Sequence, residues 1–180
     1  MPPHTIFHSS CWEETFVQLY SFSKVFSLTG YRVGSIIGGQ SIIDAATKVM
    51  DTLAICAPRI AQDAALYGLN NLEKWVANKR TGIQERLNYV NDIFSSNQTS
   101  FELISSGAYF AYVKHPFDKI PARDVARHLA KKENILCLPG SFFGPGQEQF
   151  LRLAFANATV EELSLLPKRL RSSVDSITFA

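Results

Sequence analysis

The sequence has few cysteines, and their spacing argues against disulfide bonds and metal sites. Only three occur in 180 residues, at Cys11, Cys56 and Cys137. They are far apart and odd in number, and neither they nor the four histidines stand at metal-ligand spacing. We therefore expect free thiols in a reducing, cytoplasmic compartment, and no metal.

Long apolar runs and clusters of like charge are also missing. A membrane helix needs about 18 or more apolar residues, and Gly38, Gly39, Gln40 and Asp44 interrupt the best candidate. The 18 basic residues are scattered and nearly balanced by 16 acids, which gives no electrostatic support for a nucleic-acid partner. The first residues lack the basic and apolar segments of a secretion signal. With 46% hydrophobic and 19% charged residues, we expect a soluble globular protein.

The first part of the chain predicts short strands followed by helices. Aromatic and β-branched residues predict extended segments at 16–22 and 31–38, with a turn between them. Apolar residues at helical spacing predict a short helix from Ser41 to Met50, with Ser41 as its amino-terminal cap. The same spacing predicts one long helix from Pro58 to about Phe94, a length that suits a connection between two domains.

A polar loop at 95–100 marks the predicted boundary between two domains, 1–94 and 95–180. The sequence after it predicts strands at 101–106, 108–113 and 150–155, an extended piece at 135–138, and helices at 122–132 and 160–174. A sheet with helices packed on it is the natural arrangement of these elements. The fold class that we predict is α/β.

The densest group of polar side chains lies in SFSKVFSLTGYRVG, residues 21–34. Hydroxyls, an arginine fork and glycines that admit close backbone approach are what a phosphate dianion needs. A lysine beside such a pocket attacks an aldehyde when it is neutral, a form favoured by partial desolvation and by nearby positive charge. Taken alone, however, SxSK occurs by chance in many proteins, and its lysine is usually solvated.

The complete pattern is more specific, because it resembles the cofactor-lysine signature of the class I and II aminotransferases, enzymes of fold type I that depend on pyridoxal 5'-phosphate. The resemblance implies that Lys24 holds the cofactor as a Schiff base and moves the substrate proton. It implies that Ser21 and Arg32 hold the cofactor phosphate, and that Ser23 makes a weaker phosphate or backbone contact.

A second region resembles the small-domain segment of the same family. LPGSFFG begins at Leu138 and FLRLAFA at Phe150, and the arginine at this position in the family pairs with the substrate carboxylate. The resemblance therefore implies that Arg152 binds the substrate, since a guanidinium can hold a carboxylate through two parallel hydrogen bonds. An exposed arginine at a strand end is the simpler interpretation of FLRL alone. SGAYFAYV, at 106–113, is a third and less specific match.

Taken together, the matches imply the carboxy-terminal portion of an aminotransferase: a partial large domain with an incomplete sheet, then a small α+β carboxy-terminal domain. They imply a transaminase that passes an amino group between an amino acid and a 2-oxo acid, and a homodimer in the complete protein. The family's aspartate that pairs with the pyridine nitrogen has no counterpart in the 23 residues before Lys24, so we expect an incomplete site. There are two alternatives. One is a lyase or decarboxylase on the same scaffold, and the other is an inactive fragment that acts as an interaction module.

Overall fold

The computed structural model describes residues 4–96 and 98–177. By its contacts the chain divides into two compact units, Met1–Asn78 and Lys79–Ala180. The division falls within a helix, Glu73–Ser95, that contributes residues to both units. The boundary after residue 94 stays a prediction of the sequence.

The first unit consists of one pair of strands and several helices. In chain order these are α1 (Trp12–Thr15), β1 (Gln18–Ser21), α2 (Phe22–Val25), β2 (Gly34–Ile37), α3 (Gln40–Leu53), α4 (Arg59–Asn71) and the start of α5 (Glu73–Ser95). Strands β1 and β2 are antiparallel, with a register that runs from Gln18 opposite Ile37 to Ser21 opposite Gly34. Both predicted extended segments are therefore present, although each strand is shorter than the segment that predicted it.

Two expectations about the helices of the first unit are wrong. Helix α3 is capped by Gly39 rather than by Ser41, and it has no side-chain hydrogen bond at its cap position. The predicted long helix is two helices, because Leu72 leaves helical geometry, with φ −105° and ψ 15°. Neither glycine nor proline stands at this break, so the sequence carries no signal for it.

The core of the first unit is small. Its buried apolar residues are Phe22, Val33, Ala61 and Ala65. The ring of Phe22 stacks on that of Phe26, with centroids 5.8 Å apart, and Gly68 of α4 leaves room for the Phe26 ring. Several large apolar side chains of this unit stay exposed, among them Leu19, Leu53, Ile55 and Ile60.

The second unit is a four-stranded antiparallel sheet with helices on one face. Its elements after α5 are β3 (Glu102–Gly107), β4 (Phe110–Lys114), α6 (Ala122–Lys132), β5 (Cys137–Pro139), β6 (Phe150–Ala154), α7 (Val160–Ser164) and α8 (Leu166–Ser176). The strand order is β3-β4-β6-β5. The predicted strands and the helix at 122–132 are confirmed. The prediction of one closing helix is wrong, because two helices, α7 and α8, meet at Leu165. Helix α8 begins directly after this residue and has a proline in its first turn.

The two faces of this sheet differ in character. Alternate residues of β4 and β6 point to the helices and are buried, and the core around them comprises Ala111, Val113, Leu151, Leu153, Val90, Val125, Leu129 and Leu170. The other face carries Phe110, Tyr112 and Arg152, which alternate with the buried set. The core of the unit thus fixes which side chains the sheet presents on its outer face.

The cysteines are all free. Cys11 and Cys56 are exposed, whereas Cys137 is buried, as its flanking leucines predict. Burial raises the pKa of the Cys137 thiol to about 12. None of the helices in residues 4–96 and 98–177 is long and apolar enough to cross a membrane.

Candidate functional site

Lys24 lies on a single helical turn directly after β1. The turn begins where the Ser21 hydroxyl oxygen accepts a hydrogen bond from the backbone N–H of Ser23, 3.3 Å away. Phe22 and Ser23 are buried, and Phe22 belongs to the core of the unit. Because this buried pair anchors the turn, the next side chain, that of Lys24, is left exposed to solvent.

Arg32 lies immediately before β2 in a left-handed backbone conformation, with φ 51° and ψ 50°. Its guanidinium Nη1 donates to the backbone carbonyl of Thr29, 2.9 Å away. Left-handed geometry costs a residue other than glycine about 1–2 kcal/mol, so the surrounding contacts hold this conformation against a local preference.

Hydrogen bonds join the two parts of this segment. The backbone N–H of Phe22 donates to the Val33 carbonyl, 3.2 Å away, and the Thr29 hydroxyl donates to the Ser23 carbonyl, also 3.2 Å away. Ser21 itself pairs with Gly34 in the β1–β2 register. The structure therefore brings the turn of Lys24 and the turn of Arg32 into one folded segment at the end of the strand pair.

This segment carries two basic side chains, Lys24 and Arg32, that form no ion pair with an acid in residues 4–96 and 98–177. Ion pairs in the described part of the chain are Arg59 with Asp63 and Arg127 with Asp124, and neither Lys24 nor Arg32 takes part in one. The Ser21 hydroxyl accepts from Ser23 and so keeps its own hydrogen available for an acceptor. The Arg32 guanidinium and the Ser21 hydroxyl are suitable hydrogen-bond donors for a phosphate group, so the residues present fit the phosphate of pyridoxal phosphate.

Arg152 belongs to the second unit. It lies in the middle of β6, opposite Tyr112 of β4 and Leu138 of β5, and it is half-buried on the outer face of the sheet. Its guanidinium carbon lies over the ring of Phe110, 4.2 Å from the centroid, and over the ring of Phe143, 4.6 Å from the centroid. Among the described residues no acid forms an ion pair with it.

Sequence reasoning found the arginine but not the two rings beside it. Phe110 has a signal in the sequence, because it stands two residues before Tyr112 and so shares its face of the sheet. Phe143 has none of this kind, since it reaches the arginine from the 3-10 turn Gly140–Phe143 outside the sheet. The roles of Lys24 and Arg152 stay predictions.

The chain is similar to known proteins over most of its length. The sequence model of the family "Aminotransferase class I and II" matches residues 10–170. A putative aminotransferase of Bacillus subtilis is 29% identical over 167 residues, which are 92% of this chain and 42% of that protein. An aspartate aminotransferase of Thermotoga maritima is 28% identical over 161 residues, 89% of this chain and 40% of that protein.

A solved structure agrees on the fold. The structure of an aminotransferase from Staphylococcus aureus superposes with a TM-score of 0.80 at 22% identity, over 93% of this chain and 44% of that one. The chain thus spans about two fifths of the length of the relatives that it matches.

Proposed function

Since the chain belongs to the class I and II aminotransferases, we propose that it contributes the cofactor lysine and the substrate-carboxylate arginine of a pyridoxal-phosphate-dependent transaminase. The observation that carries the proposal is the folded segment at the end of β1 and β2. It holds Lys24 and Arg32, neither of which forms an ion pair with an acid that the structure describes, beside a serine hydroxyl with a free hydrogen.

The proposed roles follow from the chemistry of each side chain. The Arg32 guanidinium and the Ser21 hydroxyl donate hydrogen bonds to the cofactor phosphate, and Ser23 supports them through its place in the capped turn. The Lys24 amine would hold the cofactor through its aldehyde group, with loss of water, and as a free amine it would hold and move the proton of the substrate α-carbon. When bound, pyridoxal phosphate supplies a ring that accepts electrons from that carbon.

Arg152 is the proposed substrate ligand. Its fork of N–H groups suits the α-carboxylate of an amino acid or a 2-oxo acid, and the absence of an acidic partner in the described residues leaves it available. A carboxylate held at two points also fixes the orientation of the α-carbon.

We further propose that the chain corresponds to the carboxy-terminal portion of the family's fold. In this reading residues 1–94 are part of the large, cofactor-binding domain and residues 95–180 are the small domain. The order of the two motifs along the chain supports this reading, as does the four-stranded sheet that carries Arg152. The complete protein is then a homodimer, and transamination is proposed for it.

Trapping the cofactor on the chain tests the proposed role of Lys24. The protein is mixed with pyridoxal phosphate and reduced with borohydride, and the modified lysine is mapped by mass spectrometry. We expect the label on Lys24, its loss in Lys24→Ala, and its retention in Lys48→Ala, because Lys48 on α3 is another exposed lysine of the same unit. Equal labelling of Lys24 and Lys48 would contradict the proposal and favour an interaction module.

The type of reaction needs the complete protein and a second assay. We expect an amino acid and 2-oxoglutarate to give glutamate. Release of ammonia without glutamate would instead assign the scaffold to a lyase.

A further inference from the structure

The outer face of the sheet in the second unit holds Arg152 in an unusual setting. The side chain is half-buried but forms no ion pair with any acid that the structure describes. Its contacts are aromatic instead, with the rings of Phe110 and Phe143 at 4.2 and 4.6 Å from the guanidinium carbon. A guanidinium over a ring face is attracted by the ring quadrupole, while its N–H groups point along its own plane.

Phe110 is held in place by the sheet. It lies on β4 opposite Ala154 of β6, so the small side chain of Ala154 leaves space on this face beside Arg152. The neighbouring Tyr109 ring packs against Phe110 edge-on, with centroids 6.3 Å apart. The ring is therefore fixed both by its strand and by a side-chain contact.

Phe143 is held in place by the loop that follows β5. A side chain at Gly140 would collide with the backbone oxygen of Gln147, so the two ends of this loop approach closely. The Tyr112 hydroxyl donates to the Gln147 side-chain oxygen, 2.8 Å away, and the Tyr112 ring stacks on Phe150 with centroids 5.4 Å apart. The loop is thereby fastened to the outer face of the sheet.

Glycine is also required further along the same loop. Gly144 has φ 145° and Gly146 has φ 75°, values that L side chains rarely adopt. These turns return the chain to β6 after Phe143 has been brought over Arg152. The glycines of the run PGSFFGPGQ thus shape the loop that places the Phe143 ring beside Arg152.

We infer that Phe110 and Phe143 are positioning residues that hold the Arg152 guanidinium in one orientation before a carboxylate binds. The inference rests on the proposed function, in which Arg152 binds the substrate carboxylate. A free arginine side chain must be immobilised on binding, which costs about 0.5–1.5 kcal/mol. Two rings that fix the guanidinium beforehand remove that cost and leave the in-plane N–H groups for the ligand.

Phe142 provides a matched control within the same loop. It neighbours Phe143 in the sequence and is 59% exposed, but the arginine over its ring is Arg123, 5.8 Å from the centroid. Leucine at either position keeps an apolar side chain and removes the flat ring face. Tyrosine restores the ring.

The experiment uses the full chain labelled with ¹⁵N-arginine and titrated with propionate, while the Nε–H signal of each arginine is followed by NMR. We expect propionate to shift the Arg152 signal, which Arg152→Gln identifies by its loss. In the double variant Phe110→Leu/Phe143→Leu, affinity for propionate should fall about two- to tenfold. The Arg152 signal should also lose its ring-current shift before any ligand is added.

Phe110→Tyr and Phe143→Tyr each keep a ring at their position, so both variants should match the unchanged chain in both readouts, and so should Phe142→Leu. If propionate binds Arg152→Gln as well as it binds the unchanged chain, the proposed carboxylate role of Arg152 fails. If Arg152→Gln abolishes binding while the double leucine variant binds normally, the positioning role alone is overturned. An equal loss in Phe142→Leu would also overturn it, because the effect would then belong to the loop and not to the two rings.

Discussion

Replacing Gly34 with alanine tests whether the close pairing of β1 and β2 holds the proposed cofactor residues. A Cβ atom at Gly34 would lie 2.6 Å from the backbone oxygen of Tyr20, a separation that real Cβ atoms essentially never show. The obstacle is backbone, so no side-chain rotation relieves it. The strands must separate by several tenths of an ångström beside Ser21, the partner of Gly34 in the register.

The size of the effect follows from the cost of adding a carbon atom where backbone already stands, about 1–3 kcal/mol. We therefore expect Gly34→Ala to lower the free energy of unfolding by this amount. It should also reduce borohydride-trapped label on Lys24, because Ser21 caps the turn that carries Lys24.

Gly30→Ala is the control for this change, since it alters a second glycine of the same motif. A Cβ atom at Gly30 meets nothing within 4 Å, and the backbone there is not left-handed. Alanine at this position should be neutral or stabilise the protein by about 0.4–1 kcal/mol. Urea denaturation and label yield are measured for both variants. If the two alanine variants are equally stable and equally labelled, the reasoning from the strand contact is refuted.

Three further changes test the second unit. Thr159→Ala removes a capping box in which the Thr159 hydroxyl and the Glu162 carboxylate each accept a backbone hydrogen bond, at 3.2 and 2.7 Å. Urea denaturation should show that the free energy of unfolding falls by about 1 kcal/mol, and Thr159→Ser should keep the original value. Leu151→Ala, at a fully buried position, should cost about 2–5 kcal/mol in the same assay, whereas Leu136→Ala, 85% exposed, should stay within about 0.5 kcal/mol. Burial lowers the pKa of His115 below its ordinary value, so the unfolded state takes up the proton first and stability is lost as the pH falls below about 6.5. In His115→Gln the free energy of unfolding should fall less steeply between pH 7 and 5, by at most about 1.4 kcal/mol per pH unit. An unchanged slope would contradict the contribution of His115 to this pH dependence.

The sequence predicts elements well where local pattern and long-range packing agree. Helix α6 occupies the predicted 122–132 because its apolar residues recur at three- and four-residue steps, and four of them, Ala122, Val125, Ala126 and Leu129, are buried. Strands β4 and β6 show strict alternation of buried and less buried residues, which is the signal of a sheet with one covered face.

The breaks between helices are less predictable. Leu72 separates α4 from α5 although leucine has a high intrinsic propensity for helices. The break therefore depends on packing that the local pattern does not encode. The split at Leu165 does have a local cause, because Pro167 lacks an N–H and fits the first turn of a helix better than its interior.

The two candidate sites differ in the same way. In the Lys24 segment the hydrogen bonds and the strand pair within residues 21–34 join residues at most thirteen positions apart, such as Ser21 with Gly34, so a continuous motif can encode them. Around Arg152 the contacts come from positions 110, 143 and 152, on a strand, a loop and a second strand. A pattern in the sequence can mark the arginine but cannot assemble its neighbours. It follows that substitutions at Phe110 and Phe143 are the ones whose effects on carboxylate binding require the fold to explain, whereas those at Ser21 and Gly34 can be anticipated from the motif.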